Sequence, residues 1–239
     1  MGMEIAERQS DSPYVERVWR SRTAGVSRMT SIATSHKELV VWEHEGSLHV
    51  SMRGPETVAT SADVPDGSDS FGIVFGHGAS MPHLAMARLV DADLESPHVS
   101  RGAFVLRGEE WEVPTYDNAE VFIDRLVRDG VLVRDPLVDE VVAGDAAPLG
   151  ARSIQRRVAA ATGLTQGAIR QIERARQAAL LLREGTTALE VVHRLGYYDQ
   201  PHLARSLTRF VGRTATQLRR SDTPEPLSLL YKTDGLRGS

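Results

Sequence analysis

The sequence contains no cysteine and no long apolar stretch. Without cysteine the chain can form no disulfide, thiolate metal site or cysteine nucleophile, which fits a reducing cytoplasm. No apolar run approaches the roughly 18 residues of a membrane-spanning helix, and the first residues lack the apolar segment of a secretory signal. We therefore expect a cytoplasmic protein with no membrane partner. Its 239 residues, 41% of them hydrophobic, suffice for one or two packed domains.

Lysine is absent from residues 151–220, and acidic residues are scarce there. This segment holds 13 arginines against four acids, whereas residues 1–150 hold 13 basic and 25 acidic residues. The overall charge of −4 thus hides an acidic part followed by a basic part. Such an asymmetry indicates an acidic domain joined to a domain that binds a polyanion, although a solvated surface is the simpler alternative.

Short apolar runs separated by glycine and proline predict strands over the first half of the chain. The predicted strands include residues 39–42, 48–52, 69–78 and 102–108. Residues 81–95 are compatible with a short helix, and residues 118–128 predict a clearer one with Asp117 as its N-cap. The pattern is typical of a β-rich domain of the sandwich or barrel type.

After Pro136 the apolar spacing is helical throughout. The predicted helices cover residues 135–144, 150–161, 165–184, 188–195, 200–211 and 216–220. Thr165, Thr187 and Asp199 precede three of them and are expected to accept hydrogen bonds from free N–H groups of the first turn. An all-α domain is therefore predicted for this part of the chain.

Residues 187–211 predict two amphipathic helices that cross through a short turn containing Gly196, the geometry of a helix-turn-helix unit. The apolar faces are Val191, Val192 and Leu195 on the first helix and Leu203, Leu207 and Phe210 on the second. The second helix fits a DNA major groove, where Gln pairs with adenine and Arg with guanine. The base contacts predicted for this helix are Gln200, His202, Arg205 and Ser206.

The helix at residues 150–161 repeats this design, with Arg152, Gln155 and Arg156 side by side on its polar face. These three residues are the predicted base contacts of a first unit. The predicted phosphate contacts are Arg157, Arg170, Arg174, Arg194, Arg209 and Arg213. The alternative is an ordinary helical domain with arginines on its wet face.

The run from IQRRVAAATG to RFVGRTATQL closely resembles the DNA-binding domain of AraC/XylS-type transcription regulators. The specific signature GYxDQxHLxRxxxxxxG is matched at Gly196, Tyr197, Asp199, Gln200, His202, Leu203, Arg205 and Gly212. The resemblance implies a bacterial regulator that binds double-stranded DNA through two helix-turn-helix units joined by the helix at 165–184. RNA polymerase is then a candidate partner.

The sequence departs from this family at two places. The supporting helix of the first unit is expected between Gly144 and Arg152, but only a short segment containing Pro148 is available. The first unit is therefore predicted to be abbreviated. The last helix starts at Thr214-Ala215 instead of Thr-Pro, which should relax its first turn slightly.

Residues 14–115 bear a weaker resemblance to the cupin-like sensor domains that are fused to some of these regulators. It implies binding of a small effector or homodimerisation. The predicted fold is an α+β multidomain chain, a β-rich cupin-like domain followed by tandem helix-turn-helix units. The predicted domains are a flexible N-terminus at 1–13, a sensing or dimerisation domain at 14–134, a DNA-binding domain at 135–220 and a loose tail at 221–239.

Six histidines in the predicted β-rich part raise the alternative of a metal site. They are His36, His44, His49, His77, His83 and His98. No HxH pair with the following Glu of metal cupins is present, and no GxSxG elbow supports a serine hydrolase. We therefore predict no metal, no cofactor and no enzymatic activity. The alternative kept open is a cupin-like metal-dependent enzyme with an appended DNA-tethering domain.

Overall fold

The computed structural model describes residues 2–25, 28–63, 67–100, 102–145, 149–220 and 227–228. Strands dominate the first half of the chain and helices the last third. The predicted order, a β-rich part followed by an all-α part, is therefore confirmed. Within the described ranges no helix is both long enough and apolar enough to cross a membrane.

The β-rich domain is built around one antiparallel sheet. Its strands are β1 (Gly2–Arg8), β2 (Val15–Ala24), β3 (Arg28–Ser31), β4 (Glu38–His44), β5 (Ser47–Arg53), β6 (Thr60–Asp63), β7 (Asp69–Phe75), β8 (Ala79–Ser80), β9 (Asp93–Glu95), β10 (Ala103–Leu106), β11 (Glu109–Glu112) and β12 (Val133–Arg134). Six of them form the sheet in the order β1-β2-β7-β4-β5-β9, and the others pair as β3–β6, β8–β12 and β10–β11. A cupin-like barrel stays a prediction.

Helix α1 (Ala119–Arg128) lies over the apolar face of this sheet and shares one core with it. Alternate strand residues such as Val18 and Ile73 point into that core because side chains in a strand alternate between faces. Phe122, Ile123 and Leu126 meet them from α1, at the spacing of one helix face. The predicted helix at 118–128 is thus confirmed, but Asn118 and not Asp117 precedes its first residue.

The predicted flexible N-terminus is wrong for residues 2–8, which form β1 and pair with β2. The guanidinium of Arg8 also donates to the carboxylate of Glu120 on α1, at 2.6 and 2.8 Å. This bond holds the pKa of Glu120 at about 2. A polar segment near a chain end usually frays. This one is ordered by β2 and Glu120, and nothing in the sequence of residues 2–8 indicates that they pair with these more distant residues. The predicted helix at 81–95 is reduced to a 3-10 turn at Met86–Arg88, followed by β9.

The helical domain contains α2 (Pro136–Ala143), α3 (Ala151–Thr162), α4 (Gln166–Arg183), α5 (Ala188–Leu195), α6 (Gln200–Phe210) and α7 (Ala215–Arg220). The side chains of Thr165, Thr187 and Asp199 each accept a hydrogen bond from a backbone N–H of the helix that follows, as predicted. Gly163 and Gly196 end α3 and α5 in the left-handed conformation that glycine adopts without strain.

Helix α4 is the centre of the helical core. Ile169, Ile172 and Leu182 are at most 1% exposed, and the other helices pack around them. Burial of an aliphatic side chain of this size contributes about 1.5–3 kcal/mol. The core also takes in Ile32 and Ala33, which lie between β3 and β4. The two domains therefore share apolar packing.

The predicted loose tail lies almost wholly outside the described residues. Within it, Leu227 forms a bridge with Thr30 in β3, and the N–H of Ser228 donates to the carbonyl oxygen of Thr30 at 2.7 Å. The hydroxyl of Ser228 accepts from the N–H of Ile32 at 2.8 Å. At these two positions the chain therefore returns to the β-rich domain.

Candidate nucleic-acid interface

The second unit consists of α5, a four-residue turn and α6. Thr187 and Glu190 form a reciprocal capping box at the start of α5, and Gly196 ends that helix with a φ of 66°. The carboxylate of Asp199 accepts from the N–H of His202 at 2.7 Å and caps α6. The predicted apolar faces of both helices lie in the core, so the relative orientation of the helices is set by buried contacts.

The opposite face of α6 carries polar side chains at its N-terminal end. Gln200 and Arg205 are exposed. His202 is half-buried, its ring lying edge-on to Tyr197, and its Nδ1 accepts a long hydrogen bond of 3.4 Å from the N–H of Tyr198. Because Nδ1 is the acceptor, Nε2 carries the ring proton and is the donor that remains. The exposed end of α6 thus offers an amide, a guanidinium and an imidazole N–H.

Ser206 does not belong to this set. It is only 9% exposed, and its hydroxyl lies 3.2 Å from the hydroxyl of Tyr197 inside the unit. Burial raises the pKa of Tyr197, which keeps that hydroxyl protonated at neutral pH. The prediction that Ser206 contacts a base is therefore wrong, because Ser206 faces the same side of α6 as Leu203 and Leu207.

The first unit has its own supporting helix, but not where the sequence predicted it. Helix α2 packs on α3 and α4 through Val138 and Val141, which are 1% and 3% exposed. The side-chain amide of Gln166 on α4 donates to the carbonyl oxygen of Val141 at 2.9 Å. The segment between Gly144 and Arg152 contributes no helix among the residues described there, so α2 takes over the support of α3.

The exposed face of α3 carries the three residues predicted to contact bases. Arg152, Gln155 and Arg156 are all exposed, whereas Val158 and Ala161 are buried against the core. Side chains at i, i+3 and i+4 project from one surface of a helix. Arg/Gln faces are thus exposed on both α3 and α6.

Residues 144–221 match the family model described as a helix-turn-helix domain. The match covers both α3 and α6, about a third of the chain, and supports the AraC type. Residues 144–221 are therefore similar to AraC-type helix-turn-helix domains. No match to a curated protein or to a solved structure was found. No comparison therefore covers the β-rich domain, and its function has to be inferred from its structure.

The six arginines predicted to contact phosphate fall into two groups in this AraC-type domain. Arg170, Arg194 and Arg209 are exposed. Of these, Arg209 also lies over the ring of Phe210 at 5.0 Å. The other three make contacts within the protein: Arg157, which is also exposed, pairs with Asp135 at 2.9 Å, Arg174 lies over the ring of Tyr197 at 4.5 Å, and Arg213 donates to the carbonyl oxygen of Gly212 at 3.1 Å. The phosphate contacts of all six arginines stay a prediction.

Tyr198 is a surface feature that the sequence did not single out. Its neighbour Tyr197 fills the corner of the second unit and is only 5% exposed. Tyr198 is 91% exposed and directly precedes the capping Asp199. Two adjacent aromatic residues in a tight turn cannot both enter the same corner. The Tyr197-Tyr198 pair in the sequence therefore predicts that one of the two rings is exposed.

The β-rich domain contacts the C-terminal ends of α3 and α6. The amine of Lys37 donates to the carbonyl oxygen of Ala161 in the last turn of α3, at 3.3 Å. The N–H groups of Ala33 and Ala59 donate to two carbonyl oxygens in the last turn of α6, each at 2.8 Å. These carbonyls have no partner within their helix. These hydrogen bonds lie at the C-terminal ends of both helices and not in the first turns that carry Arg152 and Gln200.

The histidines of the β-rich domain are dispersed, with one exception. His49 pairs with Glu95 at 2.8 Å and stacks on Trp42, and His44 lies 3.9 Å from Glu45. Only one group of metal-ligand type occurs among the described residues, namely His36 and His77 of the β-rich domain with Glu173 of α4. The group therefore spans the two domains and does not lie inside a β-barrel.

A groove of about 1020 Å³ opens on the β-rich domain between the sheet and residues 113–116. Val41 and Phe71 form part of its apolar lining. Its rim carries charges: Arg22 pairs with Asp69 at 2.7 Å, and the guanidinium of Arg20 lies 4.7 Å from the ring centre of Tyr116. Apolar and charged side chains thus line the groove together.

Proposed function

We propose that the protein is a cytoplasmic transcription regulator that binds double-stranded DNA sequence-specifically through α3 and α6. The observation that carries the proposal is the exposure of Arg/Gln faces on both helices, each opposite a face buried in one core. A helix supported in this way can enter a major groove about 12 Å wide and present its side chains to base edges. The AraC-type family match supports the same function.

The proposed base contacts are those predicted from the sequence without Ser206. Arg152, Gln155 and Arg156 read one groove segment, and Gln200, His202 and Arg205 read the next. The exposed arginines Arg170, Arg194 and Arg209 contact phosphates and fix the register of the domain on the duplex. The acidic β-rich part is repelled by DNA, so the charge asymmetry favours approach through the helical domain.

The proposed function is tested by selecting bound duplexes from random DNA with the full-length protein. We expect a motif with two halves about 10 base pairs apart, one for each unit. A single half would show that α3 does not dock despite its support from α2. Enrichment of no sequence over the starting pool would contradict sequence-specific binding.

Substitution of Arg209 by Ala is expected to weaken binding to all DNA sequences by a similar factor. Arg209 is exposed and lies one helical turn after Arg205 on α6. A phosphate contact releases counterions, so losing it should lower the slope of log affinity against log salt by about 0.9. Fluorescence anisotropy with the selected duplex and a scrambled duplex at several salt concentrations measures this. A loss confined to the selected duplex would make Arg209 a base contact.

The groove beside residues 113–116 supports the further proposal that the β-rich domain binds a small effector with an apolar body and a charged group. A cupin-like fold, homodimerisation and contact with RNA polymerase remain expectations from the family resemblance. The enzyme alternative gains no support from the described residues, because their one cluster of metal-ligand type lies in the domain interface and includes Glu173 of α4.

A further inference from the structure

Two histidines of the β-rich domain meet a glutamate of the helical domain. His36 directly precedes Lys37 and β4, His77 follows β7, and Glu173 lies in the middle of α4. One ligand atom from each residue lies within 4.8 Å of the others. His36 is 7% exposed, while His77 and Glu173 are partly buried, so the three groups converge in the interface and not on open surface.

The atoms of the group are close to a metal-binding arrangement. Nδ1 of His36 is 4.0 Å from Oε1 of Glu173, and the two imidazole rings have centroids 4.0 Å apart. The hydroxyl of Ser35 lies between the other two ligands, 2.8 Å from Nε2 of His77 and 2.6 Å from Oε1 of Glu173. Bonds of 2.0–2.2 Å in a tetrahedral site place ligand atoms about 3.3 Å apart. Shifts of about an ångström would close the site around an ion.

The side-chain chemistry suits a transition metal. Each imidazole offers a ring nitrogen, the commonest metal ligand in proteins. Glu173 adds a carboxylate oxygen, which completes a set of two nitrogen ligands and one oxygen ligand.

We propose that His36, His77 and Glu173 bind one divalent transition-metal ion of the Zn²⁺, Co²⁺ or Ni²⁺ type between the two domains. Imidazole nitrogens favour these ions over Mg²⁺ and Ca²⁺, which prefer oxygen ligands. The site also has cationic neighbours: Arg17, Lys37 and Arg176 face His36, and Nε of Arg176 lies 3.9 Å from Oε2 of Glu173. Their charges oppose any divalent ion, so coordinate bonds to the two imidazoles and the carboxylate have to hold it. An ion held mainly by charge would be repelled from this site.

The ion would join the β-rich domain to α4, the helix around which the helical domain packs. It would bind the assembled protein and not the unfolded chain, so it should raise the midpoint of thermal unfolding. This site is independent of base reading by α3 and α6. A failure of DNA binding would leave the metal proposal untouched, and the reverse is also true.

The test uses the full-length protein after chelator treatment and removal of the chelator. Titration with Co²⁺, followed by visible absorption, is expected to show one ion per chain that Zn²⁺ displaces. Glu173→Gln and His77→Asn should weaken binding at least tenfold. His49→Asn is the matched control, because His49 pairs with Glu95 in the β5–β9 region and should leave binding unchanged.

Circular dichroism and the metal-free unfolding midpoint show whether each variant is folded. Glu173→Gln keeps an oxygen that can accept from Ser35, so it is the variant expected to fold normally. A measurement on the wild type alone adds a second criterion: X-ray absorption of the Zn²⁺-loaded protein should show two imidazole ligands. The proposal is overturned if the wild type binds no stoichiometric ion, or if Glu173→Gln and His77→Asn bind as tightly as His49→Asn.

Discussion

Replacing Arg205 by Ala is expected to weaken binding to the selected DNA site by about 1–3 kcal/mol and to relax base preference at one position. Arg205 is exposed in the second turn of α6, on the side opposite the buried Leu203 and Leu207. Its guanidinium can donate two parallel hydrogen bonds to a guanine in the major groove. Repeating the site selection with the variant, together with anisotropy on the parent site, measures both effects.

Two controls separate base reading from charge. Arg128→Ala removes the same charge from an exposed position at the end of α1, in the β-rich domain, and should leave DNA affinity unchanged. Arg205→Lys keeps the charge but loses the planar two-donor fork, so it should recover non-specific binding without the base preference. If Arg205→Ala weakens all sequences equally, Arg205 contacts phosphate and base reading belongs to Gln200 and His202.

The helix boundaries could be predicted from the sequence because their signals are local. Thr165 and Asp199 accept the capping hydrogen bonds predicted for them, and Gly163 and Gly196 stop the helices that precede them. Helical spacing also indicates that Ser206 is not on the exposed face of α6. It lies three residues after Leu203 and one before Leu207, which places it near the buried face of α6.

The contacts between distant segments could not be predicted, because nothing local marks them. The pairing of β1, the support of α3 by α2 and the meeting of His36 with Glu173 all depend on how the domains fold onto each other. The six histidines looked dispersed in the sequence. Two of them come together only because β7 ends beside the residues that precede β4, next to α4.

The close approach of the two domains at Gly163 predicts a large effect of a small substitution. Gly163 ends α3 with a φ of 76°, and a Cβ placed there would lie 2.7 Å from the carbonyl oxygen of Met86 and 2.9 Å from Cγ2 of Val90. A left-handed conformation costs an L residue about 1–2 kcal/mol, and forced overpacking costs about 1–3 kcal/mol more. Gly163→Ala should therefore lower the free energy of unfolding by about 2–5 kcal/mol.

Gly185→Ala is the matched control for this substitution. Gly185 follows α4 in the same domain with a φ of 95°, and a Cβ there would meet nothing within 4 Å. It should show the backbone strain alone, so the excess loss in Gly163→Ala, measured by urea unfolding of both variants, reports the contact between the domains. Since α3 ends at Gly163, the same variant should also lose affinity for the half-site read by α3 more than for that read by α6. Equal losses of unfolding free energy in the two variants would mean that Met86 and Val90 yield to a methyl group and do not hold α3 in place.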